Sequence, residues 1–144
     1  MATEGRRTLD VSLVTPEGPA FEGEAEMIVV PGAAGEIGVL ARHAPLVATL
    51  RAGETRIYDN VDAGDVVAFA TGPGFFTVEL DRAIALVDDA VDADEIDDAR
   101  AREQLETAQR ELEAVDRGES QADRWQLEQR IRHAENQLTV LGRS

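Results

Sequence analysis

The sequence predicts an α+β protein, with an N-terminal β-sandwich or flattened barrel followed by a C-terminal antiparallel two-helix hairpin. Between residues 8 and 88, short apolar segments alternate with turn residues, a pattern typical of a sandwich or barrel. After residue 91 there is no proline, and apolar residues recur every three or four positions, as on one face of a helix. We therefore expect a β-sandwich domain at residues 1–91 and a helical hairpin at residues 92–144.

The strands of the β domain follow from alternating segments and the turn residues between them. Residues 8–14 alternate between apolar and polar side chains and predict a half-buried strand. Residues 21–30 are interpreted as one strand, and the almost wholly apolar residues 66–70 as a strand central in a sheet. Further strands are predicted at residues 36–40, 46–50, 55–58, 75–80 and 83–87.

The segment 31–45 is the least ordinary part of the β domain. It begins and ends with proline, which excludes a helix, and Gly32 and Gly35 permit a tight reversal. A single glutamate, Glu36, and a single histidine, His43, lie within it. Two interpretations remain open at this point: a cluster of turns, or an exposed edge that contacts a partner.

The two helices each carry a narrow, alanine-rich apolar stripe. Asp92 or Asp94 is predicted to cap the first helix, and Ser120 with Asp123 resembles a capping box for the second. Such a hairpin buries little surface, so we expect it to pack on the β domain or on a partner. The predicted stripes are Ile96, Ala99, Leu105, Ala108, Leu112 and Val115, and Leu127, Ile131, Ala134, Leu138 and Leu141.

Composition excludes several classes of function. The formal net charge is −15 and all 14 basic residues are arginine, which argues against binding to nucleic acid or directly to anionic lipid. Without cysteine there are no disulfides, thiolate nucleophiles or zinc–sulfur sites. The N-terminus has no apolar signal region, and no run of about 18 apolar residues occurs. We expect contact with a membrane only through another protein.

No catalytic or metal-binding constellation is predicted. His43 and His133 are far apart in the sequence and lack the spacing of metal ligands. Asp97 and Arg100 share a helix face, either as a surface ion pair or as a polar site. In such a site the arginine would bind phosphate, and the aspartate a base or sugar edge. We predict no catalytic residue, no metal and no required cofactor, and an enzyme is the least favoured interpretation.

Taken together, these features resemble the epsilon subunit family of the F-type ATP synthase, called delta in mitochondria. The resemblance covers essentially the whole chain. In order, its residues are Val14-Thr15-Pro16-Glu17, Phe21, Gly23, Pro31-Gly32, Gly35-Glu36-Ile37-Gly38-Val39-Leu40, His43-Ala44-Pro45-Leu46, Leu50, Gly53 to Arg56-Ile57, Gly74-Phe75-Phe76 to Val78, and residues 94–101.

The resemblance implies a non-catalytic rotor component of the central stalk in a proton-translocating ATP synthase. It implies a contact of Glu36 with the polar loops of the c-ring and of His43 with the gamma subunit. It also implies a regulatory hairpin that can extend along gamma into the alpha/beta catalytic hexamer and suppress ATP hydrolysis. The implied location is peripheral, on the cytoplasmic face of the bacterial cell membrane, with the c-ring as the only link to lipid.

Some bacterial members of that family bind ATP through an Ile/Leu-Asp-x-x-Arg-Ala motif. Ile96, Asp97, Arg100 and Ala101 satisfy it. Where those members carry further arginines, this chain has Thr107, His133 and Gln137. Because charge-assisted phosphate contacts are missing, we expect weak or absent ATP binding. The alternative function is a free-standing ATP-sensing module built on this motif.

Overall fold

The computed structural model describes residues 7–142 of the chain. The order of its elements confirms the predicted fold class, ten strands followed by two helices. The strands are β1 (Leu9–Thr15), β2 (Gly18–Ala25), β3 (Met27–Gly32), β4 (Gly35–Leu40), β5 (Leu46–Leu50), β6 (Gly53–Asn60), β7 (Asp65–Thr71), β8 (Gly74–Glu79), β9 (Arg82–Val87) and β10 (Ala90–Asp92). A 3-10 turn (Ala93–Glu95) leads into α1 (Asp98–Asp116) and α2 (Arg124–Gly142).

The strands form one sheet that folds over on itself to enclose the core. Its order is β10-β7-β6-β3-β5-β8-β9-β1-β2, with β4 paired to β3. The pairs are antiparallel except for β1 with β9. Alternate residues of β1 point inward, as its pattern predicts. The core holds Leu9, Val11, Leu13, Ile28, Val30, Val39, Ile57, Phe76 and Val78.

The expectation of one strand over residues 21–30 is wrong. The chain bends at Glu26, so that β2 pairs with β1 whereas β3 pairs with β4 and β6. Here the chain passes from one half of the folded sheet to the other, a corner of the kind that sandwiches make at bends. No glycine or proline marks the position, and the apolar pattern therefore gave no indication of the break.

The expectation that residues 66–70 are central in the sheet is confirmed only for Phe69 and Ala70, which have a strand on each side. They lie in β7, which is flanked by β6 and by the short β10, a strand that the sequence did not predict. The apolar character of β7 instead reflects helix packing, because α2 lies against β6 and β7. Only the end of β7 from Phe69 onward is buried, whereas Asp65 and Val66 are exposed.

The helix caps differ from those predicted. The Asp97 carboxylate caps α1 by accepting the Arg100 backbone N–H at 3.1 Å, while Asp92 caps the 3-10 turn. Asp123 accepts the N–H groups of Trp125 and Gln126, at 2.9 and 3.4 Å, directly before α2. The capping box does not form, because Ser120 accepts a bond from Ala122 instead. Several adjacent residues have side chains able to cap a helix, and the sequence alone did not indicate which of them does so.

The predicted apolar stripes are largely correct. Leu127 and Ala134 of α2 and Ala108 of α1 are buried. Ala99 is exposed, contrary to expectation, because the inward face of the first turn of α1 is occupied by Ala101. Ala101 and Val140 are buried members that the predicted stripes omitted.

The hairpin packs on the sandwich, as its narrow stripes predicted. The side-chain amide of Asn136 donates to the carbonyl oxygens of Gly53 and Thr71, both at 3.1 Å. Gly53 and Thr71 are themselves a pair at the ends of β6 and β7. A single side chain of α2 thus satisfies two carbonyl groups of the sheet.

Candidate functional site

The turn between β3 and β4 is built by two glycines acting in different ways. Gly35 has φ of 141°, a conformation that other residues rarely adopt. Gly32 leaves room for the reversal, since a Cβ atom there would lie 2.6 Å from the Gly35 carbonyl oxygen. The turn therefore presents Glu36, the second residue of β4, at one end of the sandwich.

Glu36 is half-exposed and paired, rather than a free acidic side chain. Its carboxylate lies 3.2 Å from Nη1 of Arg56, and 46% of its side chain is exposed. The same Arg56 nitrogen lies 3.0 Å from the buried carboxylate of Glu54, and Arg56 Nε donates to the Tyr58 hydroxyl at 3.2 Å. The strand register explains the contact. Arg56 of β6 pairs with Val29 of β3, and Glu36 of β4 pairs with the residue two positions after Val29.

The electrostatics of this cluster favour a fixed positive charge. Partial burial lowers the pKa of Arg56, but hydrogen bonds to Tyr58, Glu54 and Glu36 outweigh it and the net direction is upward. Arg56 stays protonated and balances two carboxylates. Sequence reasoning missed this partner of Glu36, since the pairing depends on the register of three strands.

His43 lies in the exposed loop between β4 and β5. Its Nδ1 lies 2.7 Å from the Ala44 carbonyl oxygen. The loop is braced against the β8–β9 turn, where the Asp81 carboxylate accepts the backbone N–H of Arg42. Three residues here have positive φ: Arg42 at 66°, Leu80 at 51° and Asp81 at 58°. Leu80 is 91% exposed, so no packing of its side chain offsets this backbone strain.

An apolar face extends from the same loop across β5, β8 and β9. Val47, Phe75 and Leu86 are exposed by 76%, 57% and 49%. Phe75 pairs directly with Leu86, and Val47 lies on the same side of the adjacent strand β5. Neighbouring exposed apolar side chains of this size are typical of an interaction surface.

The motif residues at the start of α1 line one cavity. Ile96, Asp97, Arg100 and Ala101 line a cavity of about 240 Å³ that also contacts Gln137 of α2. Its volume is below the range of roughly 300–1,000 Å³ usual for sites of drug-sized ligands. The Asp97 carboxylate serves as the helix cap. The polar-site interpretation thus competes with a structural role for Asp97.

His133 lies at the junction of α2 and the sandwich, close to Asp88 and Asp89. Within residues 7–142, no group of three or more histidine, aspartate or glutamate side chains is arranged to hold a metal. Over the same residues, neither helix is long and apolar enough to cross a membrane.

Comparison with known proteins identifies the family. The family model of the β-sandwich domain of the ATP synthase delta/epsilon chain matches residues 8–93, more than half of the chain. The chain belongs to the ATP synthase delta/epsilon family. The resemblance found in the sequence is thereby confirmed.

Relatives within this family share the name ATP synthase epsilon chain. The one from Laribacter hongkongensis is 39% identical over 86% of this chain and 89% of its own. The one from Rubrobacter xylanophilus is 36% identical over 99% of this chain and 97% of its own, so the similarity extends through the hairpin.

A solved structure supports the delta/epsilon fold. The mitochondrial ATP synthase of Euglena gracilis, described as OSCP/F1/c-ring, contains a chain that matches with a TM-score of 0.73 and 22% identity. The match covers 94% of this chain and 82% of that one.

Proposed function

We propose that this chain is the non-catalytic epsilon subunit of the central stalk of a proton-translocating ATP synthase, joining the gamma subunit to the c-ring. In this proposal residues 1–91 form the contact domain and residues 92–144 the regulatory domain; residues 1–6 and 143–144 lie outside the described residues. The observation that carries it is the match of the sandwich to the delta/epsilon family, together with two separate candidate surfaces on that sandwich.

The face of Val47, Phe75 and Leu86 is the proposed gamma contact, and His43, in the loop that leads into β5, is proposed to belong to it. An exposed apolar face is costly for a free subunit and is stabilised when a partner covers it. Phe75 pairs across strands with Leu86 and forms part of this face. A charged side chain in place of Phe75 would therefore disrupt docking to gamma.

Binding to gamma tests this contact. The Phe75→Asp variant should lose at least about tenfold in affinity for purified gamma, as expected on truncating a central aromatic side chain. Val66→Asp, at an exposed valine of β7, is the matched control and should bind as the native chain does. If the native chain has no affinity for gamma, the proposed function is wrong.

Glu36 is the proposed c-ring contact. Because it is paired with Arg56, a simple charge reversal would also break the local ion pair. Glu36→Gln instead removes the charge presented by the turn and leaves Arg56 paired with the buried Glu54. We expect weakened coupling of ATP hydrolysis to proton pumping in membrane vesicles with this variant. Native coupling would contradict the contact.

The surroundings of the α1 motif support regulation without nucleotide. Beside Arg100 the cavity carries the carboxylates of Glu95 and Asp97. A triphosphate requires several cations, and Thr107, His133 and Gln137 supply no fixed charge. Calorimetry on the isolated chain should show weak or no ATP binding; submicromolar affinity would support the free-standing sensor instead.

A further inference from the structure

The junction between α2 and the sandwich places one imidazole between two carboxylates. His133 Nε2 lies 3.5 Å from Asp88 Oδ1, and His133 Nδ1 lies 3.9 Å from Asp89 Oδ2. Both aspartates belong to the connection between β9 and β10, whereas His133 belongs to the helix. Each ring nitrogen therefore faces a different carboxylate of the other domain.

Only the protonated form of His133 can serve both carboxylates. A neutral imidazole has one N–H donor, and an imidazolium has two. In this geometry Nε2 is buried and has no hydrogen-bond partner among the described residues. A neutral ring leaves one nitrogen lone pair facing a carboxylate, which is repulsive, whereas a charged ring attracts both carboxylates.

The other groups around His133 add to this preference. A cavity of about 430 Å³ beside the ring is lined by Glu103 and Glu111 of α1, by Asp89, and by Arg130 of α2. Arg130 is the one basic residue apart from His133 among those that line it. The surroundings are therefore acidic on the sides of both α1 and the sandwich.

The two aspartates are held in place by the sandwich. The Asp88 carboxylate packs over Gly72, where a Cβ atom would collide with it. Burial raises the pKa of Asp89, with Asp88 and Glu17 acting in the same direction and His133 against it.

We propose that His133, Asp88 and Asp89 form a pH-sensitive latch that holds the helical hairpin on the β-sandwich. Acidification between about pH 8 and pH 5, the range in which histidine side chains generally change charge, strengthens docking, and alkaline pH weakens it. The sign follows from the geometry, because only a charged ring attracts both carboxylates across the junction. The latch rests on the proposed regulatory role of residues 92–144, but not on any contact with gamma or the c-ring.

The latch differs from the other docking contact in its response to pH. Asn136, three residues along α2, donates to backbone carbonyl oxygens and does not titrate. Asn136 therefore stabilises the docked hairpin at every pH. Substitution of Asn136 therefore weakens docking without removing its pH dependence.

Hydrogen exchange of the α2 amides in the isolated full chain tests the latch. Protection factors correct for the intrinsic pH dependence of exchange and report opening even when the docked state predominates. Between pH 8 and pH 6 the protection of residues 127–140 should rise about fivefold, the size expected of two partly exposed ion pairs. Protection of β1 amides serves as the internal reference.

Three variants separate the latch from general effects of pH. His133→Gln and Asp88→Asn/Asp89→Asn should each abolish the rise, whereas His43→Gln, which removes the only other histidine, should retain it. Asn136→Ala should lower protection at both pH values and keep the ratio. Constant protection in the native chain, or an unchanged rise in His133→Gln, would overturn the latch. Either result leaves the gamma-binding test unaffected.

Discussion

Arg56 shows how a single residue can decide the character of a candidate surface. Its guanidinium joins Glu36, at the end of the sandwich, to the buried Glu54. The contact residue that the sequence suggested is therefore part of a cluster, and its orientation is fixed from β6. Glu54 depends on Arg56 more than Glu36 does, since an unpaired buried carboxylate has a large desolvation cost.

Replacing Arg56 by alanine should lower the free energy of unfolding by about 2 kcal/mol, because Glu54 stays buried without its partner. Glu36→Gln is the comparison and should cost below about 1 kcal/mol, since its half of the pair is screened by solvent. Chemical denaturation measures both values. Equal effects of the two substitutions on the free energy of unfolding would contradict the view that Glu54 depends on Arg56 more than Glu36 does.

Leu80 is a second residue whose local structure makes a prediction. It adopts a left-handed conformation in the β8–β9 turn while its side chain is almost wholly exposed. Leu80→Asn should stabilise the chain by about 1 kcal/mol, because asparagine tolerates this conformation and no packing is lost. Leu40→Asn, at an exposed leucine without positive φ, should give no gain. The shift in denaturation midpoint distinguishes the two.

At the scale of elements, much of the architecture could be predicted from the sequence. The alternation of Leu9, Val11 and Leu13 identified β1, and the stripes of the two helices identified the hairpin. The bend at Glu26 and the pairing of β7 with the short edge strand β10 could not be predicted, because both depend on which strands and helices meet in three dimensions. The partners of Glu36 and Asn136 were missed for the same reason: each contact joins residues distant in the sequence.

Substitution of Asn136 tests how far its hydrogen bonds hold the hairpin on the sandwich. Asn136→Ala removes two hydrogen bonds to the ends of β6 and β7 and should weaken docking of the hairpin by about 1–2 kcal/mol. Limited proteolysis at the arginines of α2 should then proceed faster. Gln126→Ala, at an exposed position of the same helix, is the control and should leave the rate unchanged. Equal rates in both variants would show that apolar packing alone holds the hairpin.

In the molecule as a whole, the sandwich and the hairpin differ in how far each depends on the other for its stability. The sandwich has its own core of large apolar side chains, whereas the hairpin buries mainly alanine and single aliphatic residues. A hairpin that buries so little apolar surface has marginal stability without the sandwich or another partner. This asymmetry is compatible with the regulatory role proposed for the hairpin.

Removal of the hairpin in the assembled enzyme should raise ATP hydrolysis. A chain ending at Ile96 keeps β10 and the 3-10 turn and loses both helices. Asn136→Ala in the full chain should act in the opposite direction and lower hydrolysis, because a loosened hairpin reaches the catalytic subunits more often. Hydrolysis rates of the purified complexes measure both effects. No rise on truncation would contradict an inhibitory hairpin.

In the proposed assembly, the sandwich joins gamma to the c-ring through two separate surfaces. Because the chain contains no cysteine, single substitutions Val47→Cys and Glu36→Cys each carry one photo-crosslinker in the assembled enzyme. A probe at position 47 should crosslink to gamma, and one at position 36 to the c subunit. A probe at Asp62→Cys, in the exposed β6–β7 turn, is the control and should crosslink to neither. Absence of both crosslinks, or the same partner from both positions, would contradict the proposed assembly.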